Sequence, residues 1–199
     1  MDGKTLGGPL AHQSEGQPSV HLLSLEEGER GIVLTQRAVQ SKEKEIRAAA
    51  ALVHPALGKG RLISTAAMPT QKKWCACVAA SGGSSLTIVK KNQPERYQDL
   101  MAFFEVKDAD RREWPYKKKI PKGHGRLEIR ERWTSTQMNE GFEQEWAGLA
   151  QVFRLRRDVK EGEKEREEIV SGVTNLSRKQ AKGSRLLALP QAHGRIENR

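Results

Sequence analysis

Two short stretches of this chain carry the same chemically useful side chains. Residues Gly123 to Trp133 read GHGRLEIRERW and residues Ala192 to Arg199 read AHGRIENR, so a His-Gly-Arg run followed by Glu occurs at His124, Arg126 and Glu128 and again at His193, Arg195 and Glu197. An arginine fork donates two parallel hydrogen bonds and matches a phosphate. His124, Arg126 and Arg130 are therefore candidates for contact with a DNA backbone, weighed against a solvated strand face. A second candidate is VKKNQP, in which Lys90, Lys91 and Asn92 follow an apolar run, at the kind of strand edge where α/β proteins place sites. The run RLRRDVKEGEKEREE, residues 154–168, reads instead as a charged hairpin turn, because its acids largely cancel its bases. Cys75 and Cys77 lie in the apolar WCACVAA without companion ligands at zinc spacing, and read as small core residues.

The elements that must position these residues follow from hydrophobic spacing. VHLLSLEE and GIVLTQRAV, parted by GER, predict a hairpin over Val20 to Val39. Ile46, Ala49, Ala50 and Val53 fall on one face of a helix that Pro55 ends. GRLISTAAM predicts a strand, TQKKWCACVAA a helix that stops at glycines, and SLTIVKK a strand buried on both faces. Tyr97, Leu100, Met101 and Phe104 mark the next helix. From Trp114 to about Leu176 the pattern turns to strands joined by charged turns, and Ser177 with Gln180 opens a final helix as a capping box. The expected fold is thus α/β, a mixed sheet flanked by helices with a β-rich insertion before the last helix. The strands near 20–39, 61–67 and 86–90 are expected to share one sheet.

With 199 residues, one core is the default expectation. Hydrophobic residues make up 36% and charged residues 30%, with a mean hydropathy of −0.70, which suits a soluble protein. No apolar run approaches the length of a membrane span and the first ten residues lack a signal-peptide core, so a cytoplasmic protein without a membrane partner is expected. The formal charge of +10 favours a polyanion, since each neutralised phosphate releases counterions.

Seven blocks then occur in a familiar order: DGKTLGG at Asp2, SKEKEI at Ser41, AAMPTQ at Ala66, VKKNQPERYQDLMAFF at Val89, KGHGRLEIRERW at Lys122, GVTNLSRKQAKGSRLLAL at Gly172 and HGRIEN at His193. Together they resemble insertion-sequence transposases of the ISAs type, the group that includes the H-repeat-associated proteins. The resemblance implies a DDE transposase with an RNase H-like core, in which three carboxylates hold two Mg²⁺ ions roughly 3.5–4 Å apart for DNA strand cleavage and transfer. It also implies a division of the chain into a loop over 1–19, a core over 20–105, a β-rich insertion over 106–176 and the start of the Glu-bearing helical segment over 177–199. The DNA-contacting set it suggests is Lys4, Lys90, Lys91, Asn92, His124, Arg126 and Arg130.

Carried over position by position, Asp2 matches the first carboxylate and Glu197 the third, as catalytic and metal-binding residues. Ala66 stands where the family has its second Asp. By position, Glu128 belongs to a separate block, so the two His-Gly-Arg stretches are two sites rather than a duplication. Gly7 replaces the usual Arg, Gly194 the usual Trp, and Ser171 or Gly172 the usual Tyr. Family members also extend further at both ends. The expectation is a truncated and degenerate transposase copy that is inactive and does not hold Mg²⁺ productively. The alternative is a non-catalytic DNA-binding remnant competing with an intact transposase, with a homodimer or association with that transposase as possible assemblies.

Overall fold

A computed structural model describes residues 2–5, 21–27, 32–39, 48–49, 51–65, 71–91, 93–105, 116–120, 122–123, 126–142, 146 and 148–181; of these, 2–5, 21, 65, 71, 117, 122–123 and 126 are described by their backbone alone. Strand β1 (Asp2–Thr5) runs antiparallel to β2 (His21–Glu27), which pairs antiparallel with β3 (Ile32–Val39). The β2–β3 pair is the expected hairpin. Its register shifts between Leu25 and Glu26, an irregularity of the bulge type that bends a strand. Residues 48, 49, 51 and 52 are helical, and Pro55 opens a separate single turn, α1 (Pro55–Gly58), with the His54 imidazole accepting from the Ala56 amide.

Strand β4 (Leu62–Thr65), helix α2 (Gln71–Ala80), strand β5 (Ser84–Val89) and helix α3 (Pro94–Phe104) follow in the expected order. Helix α2 ends where Gly82 takes φ 72°, a conformation that costs other residues. Strands β4 and β5 are parallel, as a helical crossover requires. Buried faces account for the periodicity: Trp74, Cys75 and Val78 on α2, which packs on β5, share one buried cluster with Leu100 and Phe104 on α3, which packs on β10. Cys75 and Cys77, two positions apart on a helix, point apart. Cys75 packs against the Thr87 hydroxyl at 3.3 Å, and burial pushes its thiol above the ordinary value despite that contact.

The remaining chain forms β6 (Tyr116–Lys119), β7 (Lys122–Gly123), β8 (Arg126–Ser135), α4 (Asn139–Phe142), β9 (Gln151–Glu161) and β10 (Lys164–Thr174). Strands β8, β9 and β10 are successive antiparallel partners, and β10 pairs in turn with β5 from Ser171 to Thr174. The sheet order is β4-β5-β10-β9-β8-β6, with β7 also on β8. The β-rich stretch therefore adds directly to the sheet that carries β4 and β5. The result is a mixed α/β fold, a mixed sheet flanked by helices, and it is consistent with the RNase H-like order expected.

One expectation is corrected. The β2–β3 hairpin does not share a sheet with β4 and β5: β1-β2-β3 form a three-stranded sheet apart from the seven-stranded one. Strands β1 and β4 are four residues each, too short for much of a ladder, and β1 is matched along its whole length by β2. Side chains make the join instead. Leu23, Leu25 and Val39 belong to the same buried cluster as Ile63, Trp74, Val78 and Val89.

On the opposite face of the large sheet, Leu86, Phe153, Leu155, Leu176 and Ala181 form a second cluster. The expected capping box is present beneath it. The Ser177 amide donates to Gln180 Oε1 at 3.1 Å and the Gln180 amide to Ser177 Oγ at 3.4 Å, which sets the turn that carries Ala181. Among the described residues, no helix is long and apolar enough to cross a membrane.

Candidate nucleic-acid interface

Because β4 and β5 are parallel, with Thr65 opposite Thr87, the chain leaves both strands at one edge of the sheet. Strand β4 ends there at Thr65, and Lys90 and Lys91 follow β5. All six β5 residues carry apolar or hydroxyl side chains that the core accepts, so charge first appears where the strand ends. The Gln93 amide donates to the Lys90 carbonyl at 2.9 Å, closing a tight turn before Pro94 starts α3. Lys90 and Lys91 are both exposed on that turn.

Strand β10 meets β5 only from Ser171 onward, so residues 164–170 of β10 and their partners on β9 and β8 overhang this edge. The overhang is an ion-pair lattice. Arg156 bridges Asp158 and Glu167 at 3.1 and 2.9 Å, Arg157 bridges Glu128 and Glu168 at 2.8 and 3.5 Å, and Lys160 pairs with Glu165 at 2.6 Å. Loss of hydration lowers the Arg157 guanidinium, but Glu128 and then Glu168 outweigh it and hold the group above its ordinary value. The fully exposed Lys160–Glu165 pair shifts both partners towards their charged forms through its hydrogen bond. This is the charged hairpin expected of residues 154–168, turning at Gly162 with φ 60°.

The arginines of β8 are placed differently. Glu128, Arg130 and Arg132 alternate onto one face and are 3%, 4% and 5% exposed. Arg130 Nε donates to Glu128 Oε1, and Arg132 Nη1 donates to the Ala181 carbonyl at 2.9 Å. Arg130 is thus turned into the protein, away from the exposed Lys90 and Lys91. On the other face Tyr116 donates to Glu131 at 2.6 Å and lies 5.4 Å from the Trp133 ring. Lost hydration and the Glu131 carboxylate push its phenol up to about 12.

The chain matches no family model and no solved structure. It is 29% identical over 162 residues, 80% of this chain and 54% of the relative, to an "Uncharacterized protein in dhlA 3'region" of Xanthobacter autotrophicus. It is 29% identical over 154 residues to the "H repeat-associated putative transposase YhhI" of Escherichia coli K12, covering 76% of this chain and 40% of that one. The "Putative transposase YncI" of Escherichia coli O157:H7 is 28% identical over 170 residues, 82% and 43% of the two chains. These distant relatives support a transposase-like family. The chain spans about half the length of the curated relatives it matches, or less.

Against that transposase-like frame, the site positions divide three ways. Asp2 and Lys4 lie on β1, opposite Ser24 and Leu22, and Arg126 lies on β8, opposite Gly123 and Glu161; of these the structure describes the backbone. Lys90, Lys91 and Arg130 are placed fully. Ala66, Asn92, His124 and Glu197 lie outside the described residues. Among the described residues no group of three His, Cys, Asp or Glu side chains could hold a metal ion. Sequence reasoning missed Arg132 and the internal role of Glu128. The signal was there: Glu128, Arg130 and Arg132 are two apart, and a strand puts such residues on one face.

Proposed function

We propose that this chain is a transposase-type DNA-binding domain of insertion-sequence origin that binds duplex DNA without cutting it. The observation that carries the reading is the sheet edge after β4 and β5: Lys90 and Lys91 stand exposed on the turn beyond a buried strand, at the edge where β4 also ends. A net charge of +10 and relatives described as transposases support the same reading.

The absence of cutting follows from the donor set. Two Mg²⁺ ions in a DDE site need three oxygen ligands from carboxylates, and a methyl group at Ala66 offers none. Asp2 and Glu197, the other two positions, do not make up that set between them, so the residues present do not fit the metal pair and no cleavage step runs through them. The role left to the chain is occupancy of DNA, where it would compete with a complete transposase.

Fluorescence anisotropy with a labelled duplex tests the binding. Affinity should fall with salt at a slope of about 0.9 in log K per phosphate neutralised, and Lys90→Glu with Lys91→Glu should weaken binding and flatten that slope. Binding indifferent to salt, or unchanged in the double variant, overturns the assignment of this edge. Supercoiled-plasmid nicking in Mg²⁺ or Mn²⁺ tests the second half. Cleavage by the unmodified chain, abolished by Glu197→Gln, would show that the carboxylate set is complete by some other route.

A further inference from the structure

The face of β8 that looks toward the 177–181 turn holds more positive charge than the described residues neutralise. Its buried charged groups are Glu128, Arg130 and Arg132. The one carboxylate among them, Glu128, receives both Arg130 Nε and Arg157 Nε, the latter at 2.8 Å. Arg132 has no carboxylate opposite it: its ladder partner on β9 is Leu155, whose partner on β10 is Val170. Among the described residues its one hydrogen bond runs from Nη1 to the Ala181 carbonyl at 2.9 Å. Arg132 Nε and Arg130 Nη2 are both buried and have no acceptor within hydrogen-bond reach among the described residues.

Orphaned donors of this kind are costly even when neutral, and more so on a charged group. A guanidinium cannot shed its proton at accessible pH. Burial pulls Arg132 below its ordinary value, with no neighbouring charge to offset it. A water or an anion could accept from the two orphaned donors, and only an anion also offsets the guanidinium charge. Residues 130 and 132 are about 6.6 Å apart along one face of a strand, so a small acceptor between the side chains can take a hydrogen bond from each.

We propose that Arg130 and Arg132 form an internal anion site that takes one small inorganic anion, of halide or sulfate class, between β8 and the turn at 177–181. The anion joins a sheet strand to the capping-box turn by supplying the acceptor that the described residues lack there. The site is independent of DNA binding: at 4% and 5% exposure these guanidiniums are closed to a duplex, unlike the exposed Lys90 and Lys91.

Thermal unfolding of the full chain tests the site at constant ionic strength, replacing gluconate stepwise by bromide or by sulfate. The midpoint should rise saturably with one or both anions, by about 3–6 °C at tenfold the dissociation constant. Arg132→Met should abolish the saturable rise while leaving duplex affinity unchanged. A rise of the same size and shape in Arg132→Met means a general salt effect, and overturns the proposal, as does a midpoint indifferent to either anion. If Arg132→Met does not fold, crystals of the unmodified protein grown in bromide decide the matter: an anomalous peak within hydrogen-bond reach of Arg130 Nη2 and Arg132 Nε upholds the site, and water alone there overturns it. Loss of anion binding when duplex DNA is added would show that the two guanidiniums serve DNA instead.

Discussion

The two halves of the β8–β9–β10 ribbon share one continuous register and little else. In the inner half, Gln151–Leu155 and Ser171–Thr174 are buried on both faces, between α3 on one side and the cluster at Leu176 and Ala181 on the other. There Arg154 reaches the Phe104 carbonyl at 2.7 Å and Gln151 the Leu176 carbonyl at 2.7 Å. In the outer half, Lys164–Ile169 are all exposed and their partners on β9 are charged except Val159, opposite Arg166. What separates the halves on β9 and β10 is whether a helix or turn lies over the sheet, whereas on β8 Glu128, Arg130 and Arg132 carry charge under cover.

The strongest way to break this contrast is at Gly172. A Cβ there would meet the Thr87 carbonyl and come 2.7 Å from Phe153 Cζ. Gly172→Val should therefore part β10 from β5 and cost more than about 4 kcal/mol, the range of exceptional mutations, read as loss of the cooperative urea transition. Phe153→Ala, a wholly buried ring in the inner half, should cost about 3–5 kcal/mol and lower the urea midpoint. Glu167→Gln in the outer half removes a partner of Arg156 that is 53% exposed, and should shift the same midpoint by no more than about 0.5 kcal/mol. An outer-half loss as large as that of Phe153→Ala would mean the lattice is structural.

The subtlest test is a titration. Tyr116 is raised from 10.0 to about 12, first by lost hydration and then by Glu131. A phenol whose folded pKa lies above its unfolded one stabilises the fold below pH 10, and loses that contribution as pH climbs from 10 to about 12. The phenolate absorbance attributable to Tyr116, taken as the difference from Tyr116→Phe, should have its midpoint near 12 and move down in Glu131→Gln. An unmoved midpoint would show that Glu131 contributes nothing and burial everything.

Much of this was open to reading from residue order alone. The apolar spacing in SLTIVKK marked β5 and placed Lys90 and Lys91 beyond its end, the glycines after Ala80 marked the end of α2, and Ser177 with Gln180 announced the capping box that forms. These are local matters, fixed by the two-residue period of strands, by backbone conformations that glycine alone adopts cheaply and by a side chain reaching three residues along. The missing oxygen at residue 66 is likewise a property of alanine in any fold.

Tertiary structure alone decided which strands became neighbours and which arginines stayed outside. Pairing β10 with β5 closes a separation of some eighty residues, and no local spacing encodes it. That the β2–β3 hairpin joins the large sheet through side chains rather than a ladder was equally invisible, since two four-residue strands can end up paired or apart without any change in their own pattern. Arg130 in the sequence looks like any other phosphate-binding arginine. It became an interior group on the face of β8 where the neighbouring Arg132 reaches the 177–181 turn, and there each buried N–H must find an acceptor.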